Sequence, residues 1–381
     1  MNNEYRICKR CVMDTTDENI TFDENGYCNH CTKVLKNLNS YPFNLNDQEK
    51  ETELKKLVDK IKADGKGKKY DCIIGVSGGA DSTYVAYLVK KLGLRPLAVH
   101  VDNGWNSDLS VKNIENTLNK LGIELYTHVL DWDEFRDLQL SYIKSSTPDL
   151  EVPTDHAIYA VMFKIASKNN IKYILSGYNY KTESILPPTW SNGGHDWKYI
   201  SYIQKTFGTR KLKNYPHRSL IDIGIQEFIL KIKRINILDY VDYNKKDATE
   251  IVSTELGWKP YPVKHGESVY TKFIQSYILP VKFGYDKRKS YMSALICSGQ
   301  LTRDEALEEL KKDIYTPQEL NETIEYVCDK LEITKDDFEK YMKLPNKTYF
   351  DYPSYDTNPI LVKMKKVYHN LNNTKYFRLD E

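Results

Sequence analysis

Long apolar runs are missing from this chain: none approaches the roughly 18 residues that a membrane-spanning helix needs. The opening "MNNEYRICKRC" has no apolar stretch of the kind a secretory leader carries, so the expectation is a soluble, cytoplasmic protein. An excess of one charge is missing as well. The 55 basic residues nearly balance the 53 acidic ones, for a net charge of +2. The chain as a whole therefore lacks the positive footprint of a nucleic-acid binder, which leaves room only for a local basic patch. Internal repeats and long low-complexity segments are absent. What is present is apolar material enough for a real core, 40% of 381 residues, in a chain too long for one average domain.

Cysteine is scarce, seven residues in all, yet four of them fall into one pattern: Cys8 and Cys11 in "CKRC", Cys28 and Cys31 in "CNHC". Each C-x2-C pair turns two thiolates onto one ion, and the separation of the pairs fits a structural zinc site. A segment with so little apolar content needs such a staple to fold. Two disulfides, or a redox pair, are the alternatives; the first suits a cytosolic protein poorly, and the second leaves one C-x2-C unexplained. His30 is placed outside the thiolate set. Cys72, Cys297 and Cys328 are scattered and read as small buried hydrophobes.

Beyond a polar connector and a charged helix to about Lys62, strand and helix patterns alternate. "YDCIIGV", "RPLAVHVD", "IELYTHVLD" and "IKYILSGYN" read as strands. "DSTYVAYLVKKLG" reads as a helix with Val85, Leu88, Val89 and Leu92 on one face, and "SDLSVKNIENTLNKLG" and "DHAIYAVMFKIASKNN" as two more. Such alternation predicts an α/β fold with a doubly wound parallel sheet, whose ligands gather at the carboxyl ends of the strands. Late in the chain, Thr316 with Glu319 and Thr334 with Asp337 form capping boxes that predict two helices packed on the catalytic domain or on a partner subunit. The expected division is a zinc ribbon over 1–40, a nucleotide domain over 41–255, and a substrate-binding, helical region over 256–381.

Between the first strand and its helix stands "SGGADS", Ser77 to Ser82. No G-x-x-x-x-G-K-[ST] loop with its lysine is present, and no G-x-G-x-x-G turn. Gly78 and Gly79 still let backbone amides converge on an oxyanion, and the following helix adds the positive end of its dipole, so the loop predicts a phosphate cradle. In this position SGGxDS resembles the PP-loop of the ATP pyrophosphatases, which cleave ATP between the α and β phosphates. The resemblance implies that Ser77, Gly78, Gly79, Asp81 and Ser82 bind ATP, with Asp81 helping to hold Mg2+. It implies the same of Val101 and Asp102 in "AVHVDNG" and of Ser176 and Gly177 in "LSGYNYKTES". Tyr178 stands where many members have His, and Glu183-Ser184 closes that segment early, so Ser176 and Gly177 are favoured over Glu183.

The blocks "KHGESVYTKF" and "FGYDKRKSYMSALICSGQLTRDEAL", together with "CKRCVMD" at the start, closely resemble the N-acetyl sugar amidotransferases of the PseA/WbpG type, over nearly the whole chain. That resemblance implies adenylation of an acetamido oxygen by ATP and displacement of AMP by ammonia, giving an acetamidino sugar for surface-polysaccharide or nonulosonic-acid (pseudaminic or legionaminic type) biosynthesis. Asp81, His265, Glu267, Lys287 and Arg288 would be catalytic. Ser268, Thr271, Lys282 and Lys289 would bind the sugar, with ATP, Mg2+ and a structural Zn2+ as cofactors. No glutaminase signature is evident in the chain, so ammonia would come from glutaminase and cyclase-like subunits similar to those of imidazole glycerol phosphate synthase.

Plainer readings stand beside these: the Lys-rich "DKRKS" as a solvated face, His265 and His156 as structural histidines, Asp155 as a helix cap. A tRNA-modifying PP-loop enzyme of the thiolase type would use the same activation. Against it stand the absence of a further cysteine pair and the near-neutral charge. A scaffold that binds no ATP is the third reading.

Overall fold

The computed structural model describes residues 4–262, 266–359 and 361–363. Its centre is a five-stranded parallel sheet: β1 (Cys72–Gly75), β2 (Pro96–Asp102), β3 (Glu124–Val129), β4 (Tyr173–Ser176) and β5 (Lys233–Asn236), in the order β3-β2-β1-β4-β5. The register runs Ile74 to Ala98 on one side of β1 and Ile73 to Ile174 on the other. Strand order therefore reverses between β1 and β4, and a crevice opens there at the carboxyl ends.

The pleat sends alternate side chains to opposite faces. Cys72 and Ile74 join Val85 and Val89 of helix Ala80–Lys91, while Ile73 and Val99 join Val161 and Ile165 of helix Val152–Lys168. Four strands and the three helices of the sheet match their sequence patterns. The fifth strand, "KRIN", has no such signal, being four residues long and only partly buried at the sheet edge. Helix Val152–Lys168 starts earlier than expected, with Pro153 in its first turn and Glu151 as N-cap. Asp155 thus lies inside the helix and does not cap it. Both late capping boxes form, at Thr316 and Thr334.

Two further devices bring the later chain to the crevice. Glu267 and Ser268 pair antiparallel with the segment after β2: the Ser107 amide donates to the Glu267 carbonyl (2.9 Å), Asn106 bridges to Ser268, and the Val269 amide donates to the Trp105 carbonyl (3.0 Å). Helix Val269–Phe273 then widens into a π-helix, Ile274–Phe283, where Pro280 supplies no amide donor. Helix Arg288–Cys297 packs on helix Asn29–Leu38 of the cysteine-rich segment and on the short helix Tyr180–Glu183 after β4. No helix among the described residues is long and apolar enough to cross a membrane.

Candidate active site

The loop from Ser77 to Ser82 is held by its own hydroxyls. Ser82 Oγ donates to the Gly79 carbonyl (3.0 Å) and accepts from the Ser77 amide (3.3 Å), and Ser77 Oγ accepts from the Gly79 amide (3.3 Å). Gly78 has φ +82°, and a Cβ there would lie 2.7 Å from the Ser110 carbonyl oxygen, so only glycine fits. Its carbonyl is drawn away from the cradle by Trp258 Nε1 (2.7 Å) and Tyr261 OH (2.9 Å). A Cβ on Gly177 would stand 3.2 Å from the Ser82 amide, so β4 approaches the start of helix Ala80–Lys91 closely.

Two cavities meet at this loop. The smaller, of about 500 Å³, is lined by Gly79, Asp81, Ser82, Gly177, Lys245 and Tyr261, among others. Lys245 Nζ lies 2.6 Å from Asp81 Oδ2, and Tyr243 OH donates to Asp81 Oδ1. Sequence reading missed Lys245, because it begins a helix (Lys245–Leu256) far along the chain and only packing of that helix on Ala80–Lys91 delivers it. Asp81, Glu183 and Glu267 all line this cavity, a hard-oxygen set that suits Mg2+ beside phosphate.

The larger cavity, of about 590 Å³, runs from Gly75, Ser77, Val99 and Val101 to Glu151, Asp155, Thr271, Gln275 and Lys287. Ser77, Glu183, Glu267 and Tyr291 line both cavities. His100 also faces the larger one. Its Nδ1–H donates to the Val76 carbonyl (2.8 Å) and its Nε2 accepts from Asn106 (3.1 Å), which locks the ring behind the loop. Glu151 accepts from Gln275 Nε2 (2.7 Å) and lies 3.9 Å from Lys287 Nζ. One turn further on, the Asp155 side chain opens onto the cavity. The side chain is exposed to the cavity, yet the protein packed around it, then the neighbouring Glu151, push its carboxyl up to about 7, against the pull of Lys287.

Of the expected residues, Val101, Glu267, Ser268, Thr271 and Lys287 do line the larger cavity; Ser268 also caps helix Val269–Phe273. Others are corrected. Asp102 turns back to accept from the Gly104 amide (2.9 Å) and Asn106 (3.2 Å) and lines neither cavity. Ser176 is likewise spent on the Tyr178 amide, whereas Glu183, ranked below it, faces both cavities. The "DKRKS" cluster divides because a helix begins within it: of its cations, only Lys287 lines the cavity, with Ser290 beside it. Arg288 pairs with Asp286 (2.8 Å) and donates to the Lys312 carbonyl (2.9 Å) at the end of helix Arg303–Leu310. Lys289 pairs with the buried Asp14, and Lys282 donates to the carbonyls of Met342 (3.0 Å) and Leu344 (2.7 Å). His265 lies outside the described residues. His156 is structural: its Nδ1–H donates to the Gly194 carbonyl, its Nε2 accepts from the Arg218 amide, and burial lowers its pKa to about 4.

The four cysteines Cys8, Cys11, Cys28 and Cys31 are buried with their sulfurs within 4.8 Å of one another. Amides of Arg10, Cys11 and Cys28 donate to Cys8 Sγ, and that of Cys31 to Cys28 Sγ, which stabilises thiolates and is compatible with zinc. His30 stays out of the set, its Nε2 lying 2.6 Å from Asp17 Oδ2. Cys297 departs from expectation: it is half-buried and its thiol sits beside Cys31.

Residues 267–368 match the family model described as LPS biosynthesis protein WbpG-like, C-terminal domain, and residues 49–213 match NAD synthase. An uncharacterized protein of Methanocaldococcus jannaschii is 29% identical over 173 residues, 45% of this chain and 58% of that protein. A tRNA-specific 2-thiouridylase, MnmA, of Mesomycoplasma hyopneumoniae is 27% identical over 234 residues, 54% of this chain and 57% of that one. The chain thus spans little more than half the length of these curated relatives. The solved NMN synthetase of Francisella tularensis covers 80% of this chain and 98% of its own at 14% identity, with a TM-score of 0.31, too distant to argue from.

Proposed function

Since residues 49–213 match NAD synthase and residues 267–368 a WbpG-like C-terminal domain, we propose that the chain is a PP-loop ATP pyrophosphatase acting as an ATP-dependent N-acetyl sugar amidotransferase. An acetamido oxygen attacks the α phosphorus of ATP, pyrophosphate leaves, and ammonia then displaces AMP to give an acetamidino group. An amide oxygen is a poor leaving group, and adenylation makes it a good one. Pyrophosphate rests on the amides of the Ser77–Ser82 loop with Lys245 at hand, and Asp81, Glu183 and Glu267 would hold Mg2+, which screens phosphate charge.

One observation carries this reading. Glu267, Ser268, Thr271, Gln275 and Lys287, all from the WbpG-like domain, line the same cavity as Ser77 of the loop. Whatever that domain binds is therefore presented to the nucleotide. An acetamido sugar, free or nucleotide-linked, on the route to a surface polysaccharide or nonulosonic acid fits the domain's description. Ammonia comes from glutaminase and cyclase-like partner subunits, similar to those of imidazole glycerol phosphate synthase, so that ammonia and not water meets the adenylate.

The test is product analysis with ATP, Mg2+, high ammonium and a panel of diacetamido nucleotide sugars. AMP together with a sugar in which NH has replaced O establishes amidination. ADP as the nucleotide product rules the mechanism out, and AMP release with unmodified tRNA but no sugar turnover transfers the case to the chemistry named for the thiouridylase relatives.

A further inference from the structure

Four carboxylates line the larger cavity, and three of them are engaged. Glu151 is held by Gln275 and Lys287, and Glu183 and Glu267 reach across to the phosphate cavity and have partners of their own. Asp155 differs. It lies on the cavity stripe of helix Val152–Lys168, one turn from Glu151 and in line with Ile158, Tyr159 and Met162. Among the described residues its side chain makes no hydrogen bond and no ion pair. The charged or titratable groups that face it are Glu151 on its own helix, Lys287 from helix Arg288–Cys297's start, and Tyr215. Its side chain is exposed to the cavity, so water reaches the carboxylate and a cation entering the cavity can take that water's place.

The amidination proposed above, on which this inference rests, lacks one participant. Ammonia in water near neutral pH is chiefly ammonium, which has no lone pair to attack with. We infer that Asp155 is the general base that receives the incoming ammonium ion and takes one proton from it. The nitrogen so freed attacks the imidate carbon of the adenylated sugar; the C–N bond forms, the C–O bond breaks, and AMP leaves with the electron pair. Two of ammonia's three protons stay on the new nitrogen and the third passes to the imidate nitrogen, so the product departs as a planar amidinium cation. Asp155 returns its proton to water. Its carboxyl, raised by its setting, is a better acceptor for that proton than an ordinary carboxylate.

Two measurements test the inference. Thallium(I), a cation of ammonium-like size and charge, is soaked into crystals of the whole protein and of Asp155→Asn; anomalous density at Asp155 is expected in the first and not in the second. Separately, sugar-dependent exchange of labelled pyrophosphate into ATP, which needs adenylation alone, is compared with amidine formation across ammonium concentration and pH. Asp155→Asn should keep exchange within about twofold, lose about 100-fold in amidination, and lose the acid limb near pH 7; Asp155→Glu should recover part of the rate. No thallium at Asp155, an unchanged ammonium and pH dependence in Asp155→Asn, or equal losses in both half-reactions would each overturn the role. Absence of exchange in the unaltered protein with every acetamido sugar counts instead against amidination, and the thallium result then judges Asp155 by itself.

Discussion

Lys245 Nζ sits 2.6 Å from Asp81 Oδ2, so the cation that the Ser77–Ser82 loop lacks in sequence is supplied in space by another helix. With Tyr243 also donating to Asp81, the aspartate is held at the mouth of the phosphate cavity, and magnesium binding there would free the lysine for pyrophosphate. Lys245→Met should lower the rate of pyrophosphate release about 100-fold, the scale for losing one charged donor at a developing anion. The pair is partly exposed, so the melting temperature should hardly move. An unchanged rate would remove Lys245 from the site.

The lysine and arginine cluster should split by function. Lys287→Ala is expected to raise the sugar KM at least about tenfold, because it removes a cavity cation. Arg288→Ala and Lys282→Ala should leave kinetics near normal and lower the melting temperature by a few degrees, since each strips donors from carbonyls at a helix end. Lys289→Ala should be the most destabilising, by about 3 kcal/mol, because it leaves Asp14, 0% exposed, without its cation. Thermal melts and initial rates on the four variants check the order.

One zinc per chain should be found by elemental analysis, and Cys28→Ser should lose it. The cysteine-rich segment is stitched to the catalytic half: Arg303 Nε donates to the carbonyls of Cys8 (3.2 Å) and Cys11 (3.1 Å), and the Val12 amide to Ser293 Oγ (3.1 Å). Metal loss should therefore lower the melting temperature by roughly 10 °C and weaken activity as well, through the helix that begins beside Lys287. Full activity in the metal-free protein would confine the metal to the ribbon.

His156 sets a pH dependence of stability. Its folded pKa, about 4, lies below the ordinary histidine value of about 6.5, so the fold favours the neutral ring. The contribution is intact above about 6.5 and is lost as pH falls toward 4, to the extent of about 3 kcal/mol. Asp149 and Asp239, both raised to about 7 chiefly by burial, act in the opposite sense over the same range. The difference between the parent protein and His156→Gln in urea unfolding isolates the histidine term, and parallel pH curves would refute it.

How much was legible in the sequence follows from how local each signal is. The glycine turn, the four thiols and the strand and helix periods are set by neighbours along the chain, so "SGGADS", the C-x2-C pairs and four of five strands could be read directly. The backbone freedom of Gly78 and the pairing of two thiolates per turn are properties of a few consecutive residues. Side-chain destinations are not. Lys287, Arg288 and Lys289 are adjacent in sequence, yet a helix beginning there turns them to a cavity, a helix end and the ribbon. Lys245 reaches Asp81, and Asp155 reaches the cavity wall, only because helices pack across the sheet at fixed angles, a relationship that no short stretch of sequence contains. Sequence alone determined the fold class and the glycine turn of Ser77–Ser82; tertiary packing decided which charged groups meet there.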